Sequence, residues 1–272
     1  MRIATFLLSL GLTLTAVVAQ AHEFWISPES YQVAPGDDIR GRLEVGQQFS
    51  GSSLLFNPDH FVRFEAIDPE GTRAVSGRLG DDPALVVPAR GDGLLIAVHE
   101  TTDRVLTYPD LDHFRVFVDQ KDFRGAIDRH LARGLPDAGF VETYRRYAKA
   151  LIAVGSGAGK DQRVGLKIEI VAEANPYTDD LSAGMPLRVW LDGEPRADAQ
   201  VELFERDADG TVTLQKLRTD AEGHVIAPVR PGADYMADSV VLLDMDLPKD
   251  AEAKAPAYHT DWASLTFHVP AQ

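Results

Sequence analysis

The hydrophobic positions fall into two stretches of strand-like alternation, separated by a segment with a different period. Between Phe24 and about Tyr108, Ile39, Leu43 and Val45 follow the turn Ala34-Pro35-Gly36-Asp37. Residues 61–67 then alternate until Asp68-Pro69-Glu70-Gly71 closes the run. Residues 84–88 form a short predicted strand, and residues 93–100 a more continuously apolar one. Strands at this spacing, broken by Pro-Gly turns, predict a β-sandwich.

The middle of the chain reads as helical. Asp122 is a predicted cap for a helix over Phe123–Arg133, which Gly134 and Pro136 would stop. Tyr144, Tyr147, Ala148, Leu151 and Ile152 fall at helical spacing and predict a second helix over about Val141–Ala153. The run Gly155-Ser156-Gly157-Ala158-Gly159-Lys160 then reads as a flexible linker. Its lysine is not followed by Ser or Thr and its glycines are wrongly spaced, so it is not a phosphate-cradling loop.

Strand patterning returns at Val164–Val171 and continues through Pro186–Leu191, Ala199–Glu205, Leu217–Val225 and Val229–Tyr235. Asp-Gly and Pro-Gly turns separate these runs. The predicted class is mainly β: an N-terminal β-sandwich over residues 22–160 with two helices at its end, and a smaller immunoglobulin- or prealbumin-like β-sandwich over residues 161–272.

Residues 1–21 stand outside this pattern. Arg2, the apolar run Phe6–Val18 and the small-x-small Ala19-Gln20-Ala21 make a secretory signal. The apolar run is shorter than the roughly 20 residues a membrane helix needs. Cleavage after Ala21 is expected to release the protein into the periplasm with no direct membrane insertion. Without residues 1–21, which hold one arginine and no acid, the balance is 26 basic to 42 acidic side chains. That balance argues against nucleic acid, whose phosphates need Lys and Arg. The chain has no cysteine, which excludes disulfides, thiolate metal sites, thiol nucleophiles and a lipid anchor on cysteine.

The same cleavage would make His22 the first residue. Its α-amine and its ring would then close a chelate around one ion, and neutral imidazole suits Ni, Co, Cu and Zn. Further ligands have to come from elsewhere in the fold. His259 lies in the polar stretch Tyr258-His259-Thr260-Asp261-Trp262, Asp244 lies between Leu243 and Met245, and His99 ends an apolar strand before Glu100. His60, His113, His130 and His268 read as structural or exposed, and His224 as solvent-facing. The chain contains no H-E-x-x-H pair and no G-x-S-x-G elbow. Acid pairs such as Asp37-Asp38, Asp81-Asp82 and Asp179-Asp180 read as solvated turns.

Three stretches together resemble the DUF4198 family of exported bacterial proteins, grouped with periplasmic components of cobalt and nickel uptake. They are Ala21-His22-Glu23-Phe24-Trp25-Ile26, Tyr144–Leu151 and Asp261-Trp262-Ala263-Ser264-Leu265-Thr266-Phe267. The resemblance implies a two-domain β fold and a metal-related periplasmic role, with nickel or cobalt ahead of copper or zinc and an inner-membrane metal transporter as partner. It also implies a histidine before the methionine late in the second sandwich, where this chain has Asp244. Two other readings stay open: a copper enzyme with an N-terminal histidine brace, and a carbohydrate-binding or adhesion module without metal.

Overall fold

The computed structural model describes residues 22–247 and 255–271, so the expected signal lies outside the described residues. The chain is mainly β, 51% strand and 9% helix, as its alternation predicts. Its backbone is one ten-stranded sheet. The main path runs Val212–Arg218, Gln200–Arg206, Ala233–Asp244, Pro256–Val269, Val141–Val154, Gly93–Thr101, Phe61–Asp68, Gly71–Ala74. This sheet takes strands from both sides of residue 160.

A four-stranded sheet covers each face of its middle. Glu23–Pro28, Asp38–Gln47, Ser50–Leu54 and Leu85–Pro88 lie over one face, which buries Leu95, Ala97, Ala148, Ala150 and Ile152 against Phe24, Ile26 and Ile39. Ile168–Ala172, Met185–Leu191, Glu194–Pro195 and His224–Ala227 lie over the other. There Leu94, Ile96, Val98, Tyr147 and Leu151 meet Ile168, Leu187 and Val189.

This double covering explains the main departure from the sequence reading. Val141–Val154 is a strand, not a helix. It pairs in parallel with Pro256–Val269 and antiparallel with Gly93–Thr101. A strand buried on both faces carries apolar residues at odd and even positions alike, so the period of two disappears. Tyr144, Tyr147, Ala148, Leu151 and Ile152 then match a helical face by coincidence. The signal against a helix was the β-branched and aromatic content of the run, Val141, Thr143, Tyr144, Tyr147, Ile152 and Val154.

The helices lie earlier. Helix α1, Leu111–Lys121, was not predicted; Asp110 caps it by accepting the His113 N–H at 2.9 Å. Asp122 ends this helix in the left-handed region at φ 55° rather than starting the next one. Helix α2, Ala126–Ala132, falls inside the predicted Phe123–Arg133. The pair packs Phe114, Phe117 and Val118 onto Tyr258 and Trp262 of the central sheet.

The Gly155–Lys160 run is tied down rather than free. Gly155 donates to the Val33 carbonyl, Asn175 Nδ2 donates to the carbonyls of Gly157 and Gly159, and Leu94 donates to that of Ala158.

Gly46, opposite Glu23 and Gly51 in the small N-terminal sheet, sits where a Cβ would run into the Ser50 carbonyl and the Gly51 Cα. Backbone cannot step aside as a flexible side chain can. Gly46→Ala is therefore expected to lose about 1–3 kcal/mol of stability, the usual range for overpacking, in urea unfolding.

Candidate metal centre at the mature N-terminus

His22 is exposed and leads directly into the strand Glu23–Pro28, which fixes its position through antiparallel pairing with Asp38–Gln47. Arg146 Nη2 donates to the His22 carbonyl at 3.1 Å. Desolvation, and then the Arg146 charge, hold the His22 imidazole below the ordinary histidine range.

His22 lines a cavity of about 440 Å³ together with His60 and His99. His99 is 3% exposed and comes from the strand Gly93–Thr101, directly opposite Phe64. The rings of Phe24, Phe61 and Phe64 surround it at centroid distances of 5.2, 5.4 and 4.9 Å. Its Nδ1 is buried with no hydrogen-bond partner among the described residues. Burial pushes its pKa down to about 3, so the ring is neutral at physiological pH. His60 closes the short 3₁₀ turn Pro58–His60, and Asn57 Nδ2 donates to its Nε2 at 3.3 Å.

Of the four predicted metal ligands, the structure thus brings His22 and His99 to one cavity. It does not bring His259 or Asp244 there. His259 pairs across the sheet with Thr143, and Arg146 with Trp262, three residues further along each strand. Alternation therefore puts His259 and Asp261 on the face opposite Arg146, Trp262 and His22. His259 bonds Thr143 Oγ1 at 2.9 Å and Asp261 Oδ1 at 3.1 Å, and Lys167 Nζ lies 2.7 Å from Asp261 Oδ2. Asp244 accepts from Arg129 Nε of α2 at 2.8 Å, with Arg133 Nη1 at 3.6 Å. A carboxylate between two guanidinium groups is already compensated.

The sequence reads His60 as structural or exposed; its one signal is its nearness to Phe61 and Phe64, whose rings meet His99. His130, read as structural or exposed, is structural: it is buried and bonded to Tyr258 and to the Pro136 carbonyl.

A second cluster lies just behind His22. Glu23, Glu202 and Asp238 are each about 1% exposed and come from three strands. Their carboxylate oxygens lie within 4.8 Å of one another, the only such group of three metal-type ligands among the described residues. By donor type and spacing this triad could hold a metal ion. Lys121 Nζ stands among the three, at 3.0 Å from Glu23 Oε1, 2.5 Å from Glu202 Oε2 and 3.0 Å from Asp238 Oδ1. The ring nitrogens of the three cavity histidines do not all lie that close to one another.

The family description "Domain of unknown function (DUF4198)" matches residues 19–241. No curated protein matches the chain. Among solved structures, one described as "Crystal structure of tetra-tandem repeat in extending region of large adhesion protein" is 13% identical, with a TM-score of 0.19. It covers 92% of this chain, which spans half the length of that one. A likeness of that size carries no argument about this protein. Among the described residues, no helix is long and apolar enough to cross a membrane.

Proposed function

The chain belongs to the DUF4198 family, a domain of unknown function, and we propose that it is a periplasmic protein that binds a divalent transition metal at its mature N-terminus. The observation that carries this reading is the shared cavity: His22, His60 and His99 line it, and His99 presents a neutral imidazole whose Nδ1 has no partner among the described residues. Cleavage after Ala21 would add the α-amine of His22 as a further donor. Nitrogen donors of this kind suit Ni, Co, Cu and Zn better than Ca or Mg. Nickel or cobalt is preferred on the family resemblance, and delivery to an inner-membrane transporter is the matching role. His259 and Asp244 have no part in this site, because their own partners satisfy them.

The test is a pair of proteins, one starting at His22 and one with a single alanine in front. Calorimetric titration with Ni, Co, Cu and Zn is expected to show at least about tenfold weaker binding by the extended form, or ~1.4 kcal/mol. Equal affinities would remove the terminal chelate. Tight copper binding with peroxide-driven turnover would favour the copper enzyme instead.

A further inference from the structure

The cavity at His22 has charge of one sign. Arg104 and Arg146 line it beside the three histidines, and no aspartate or glutamate among the described residues does. This is a local inversion in a chain with 42 acids and 27 bases. Other arginines of the fold meet carboxylates: Arg145 holds Asp103 and Glu100, and Arg230 holds Glu205 and Asp207. Arg146 is different. Its guanidinium lies over the Tyr144 ring at 4.7 Å, Nη2 is spent on the His22 carbonyl, and Nε is buried with no partner among the described residues.

The carboxylates behind Arg146 have other partners, although Glu23 Oε2 is left without one among the described residues. Lys121 holds Glu23 and Asp238. Glu142 accepts from the Tyr108 hydroxyl at 2.6 Å and from the Thr260 hydroxyl at 2.5 Å. Two guanidinium groups beside imidazole ligands repel a bare dication and attract a carboxylate through charge-assisted hydrogen bonds. At about 440 Å³ the space is also far larger than one ion needs. It falls in the range of small-molecule sites, roughly 300–1,000 Å³. One wall is apolar, with Leu54, Leu55 and Phe61 available to a carbon skeleton.

We propose that this cavity takes its metal as a complex with a small polycarboxylate. The histidines hold the metal, and Arg104 and Arg146 hold the carboxyl groups left free by it. The proposal rests on the metal reading above and names the form in which the metal arrives.

Citrate serves as the probe. Protein beginning at His22 is dialysed to equilibrium against nickel chloride alone, citrate alone, and an equimolar mixture of the two. The quantity read is the ratio of nickel retained with citrate to nickel retained without it, within each variant. That ratio is expected to be at least about ten for the wild type and to fall to near one in Arg146→Gln. Arg104→Gln, on a half-exposed strand, should lower the same ratio, and it keeps the test decisive if Arg146→Gln prevents folding. Citrate that strips nickel from the wild type, acting only as a competitor, overturns the proposal and leaves the metal reading standing. A ratio unaltered in both arginine variants also overturns it. No nickel retained under either condition removes the metal reading and this proposal together, whether or not citrate alone binds.

Discussion

Lys121→Met is expected to lose about 3–5 kcal/mol of folding stability at pH 8, the usual range when one partner of a buried ion pair is removed. Its deficit at pH 5 should be clearly smaller. Lys121 is 4% exposed at the end of α1, and its ammonium is the charge that Glu23, Glu202 and Asp238 share. Burial alone would lower the Lys121 pKa; the three carboxylates outweigh it and raise it. Burial pushes Glu23 up to about 7 even with Lys121 pulling it back, and it raises Asp238 as well. The other cations facing the cluster are Arg146, which acts on Asp238, and Lys216, with Nζ 3.6 Å from Glu202 Oε1.

The sign follows from those directions. An acid whose folded pKa lies above its unfolded value binds more protons when folded. Its contribution is full below the unfolded value, near 4, and is lost as pH rises through the folded one, about 7 for Glu23. Without the Lys121 charge the folded values move higher, so the variant's stability should fall more steeply between pH 5 and pH 8 than that of the wild type. Urea unfolding of both proteins at the two pH values measures this, and equal deficits at both would refute the shared-charge account. The emptied position is lined by oxygen donors, so manganese or calcium should raise the variant's melting temperature more than that of the wild type.

How much of this was legible in the sequence depends on which force placed each residue. The strand-and-turn text gave the β class because half-buried strands alternate, as Phe61–Asp68 does. The pattern misleads where both faces are buried, at Val141–Val154, since the period depends on one face being wet. Helix α1 was legible in principle: Phe114, Phe117, Val118 and Lys121 are its buried stripe, with a charge where a fourth apolar residue would be expected. The partners of that charge were not legible. Glu202 sits between Val201 and Leu203, and Asp238 between Ala237 and Ser239. Only the pairing of Gln200–Arg206 with Ala233–Asp244 makes them neighbours.

The histidines divide the same way. His22 follows from the cleavage pattern, a local signal. The grouping of His60 and His99 with it follows from Phe61–Asp68 lying beside Gly93–Thr101, a tertiary one. His259 shows the limit most plainly. It lies on the strand next to Arg146, yet one step of alternation turns it to the far face.

The metal-free wild type is expected to lose roughly 3 kcal/mol between pH 6.5 and pH 4 through His99 alone, and His99→Phe should remove that loss. An unfolded histidine titrates near 6.5, while burial among three phenylalanine rings pushes the folded value down to about 3. A base with a depressed folded pKa stays neutral in the fold while the unfolded chain takes up its proton. Its contribution is therefore full above about 6.5 and drains away as pH falls toward 3. Each pH unit inside that window is worth at most ~1.4 kcal/mol. Carboxylates titrate over part of the same range, so the readout is the difference between wild type and variant at pH 4, 5 and 7, from urea unfolding. Phe has a ring of similar shape and no unpaired nitrogen, so it should fit the aromatic surroundings at little cost. Parallel stability curves for the two proteins would mean that His99 is solvated and protonates freely, and a solvated ring would not be the preformed neutral ligand that the metal reading needs. A diverging pair of curves, combined with weaker metal binding by His99→Phe at pH 7, would tie the buried imidazole to both properties.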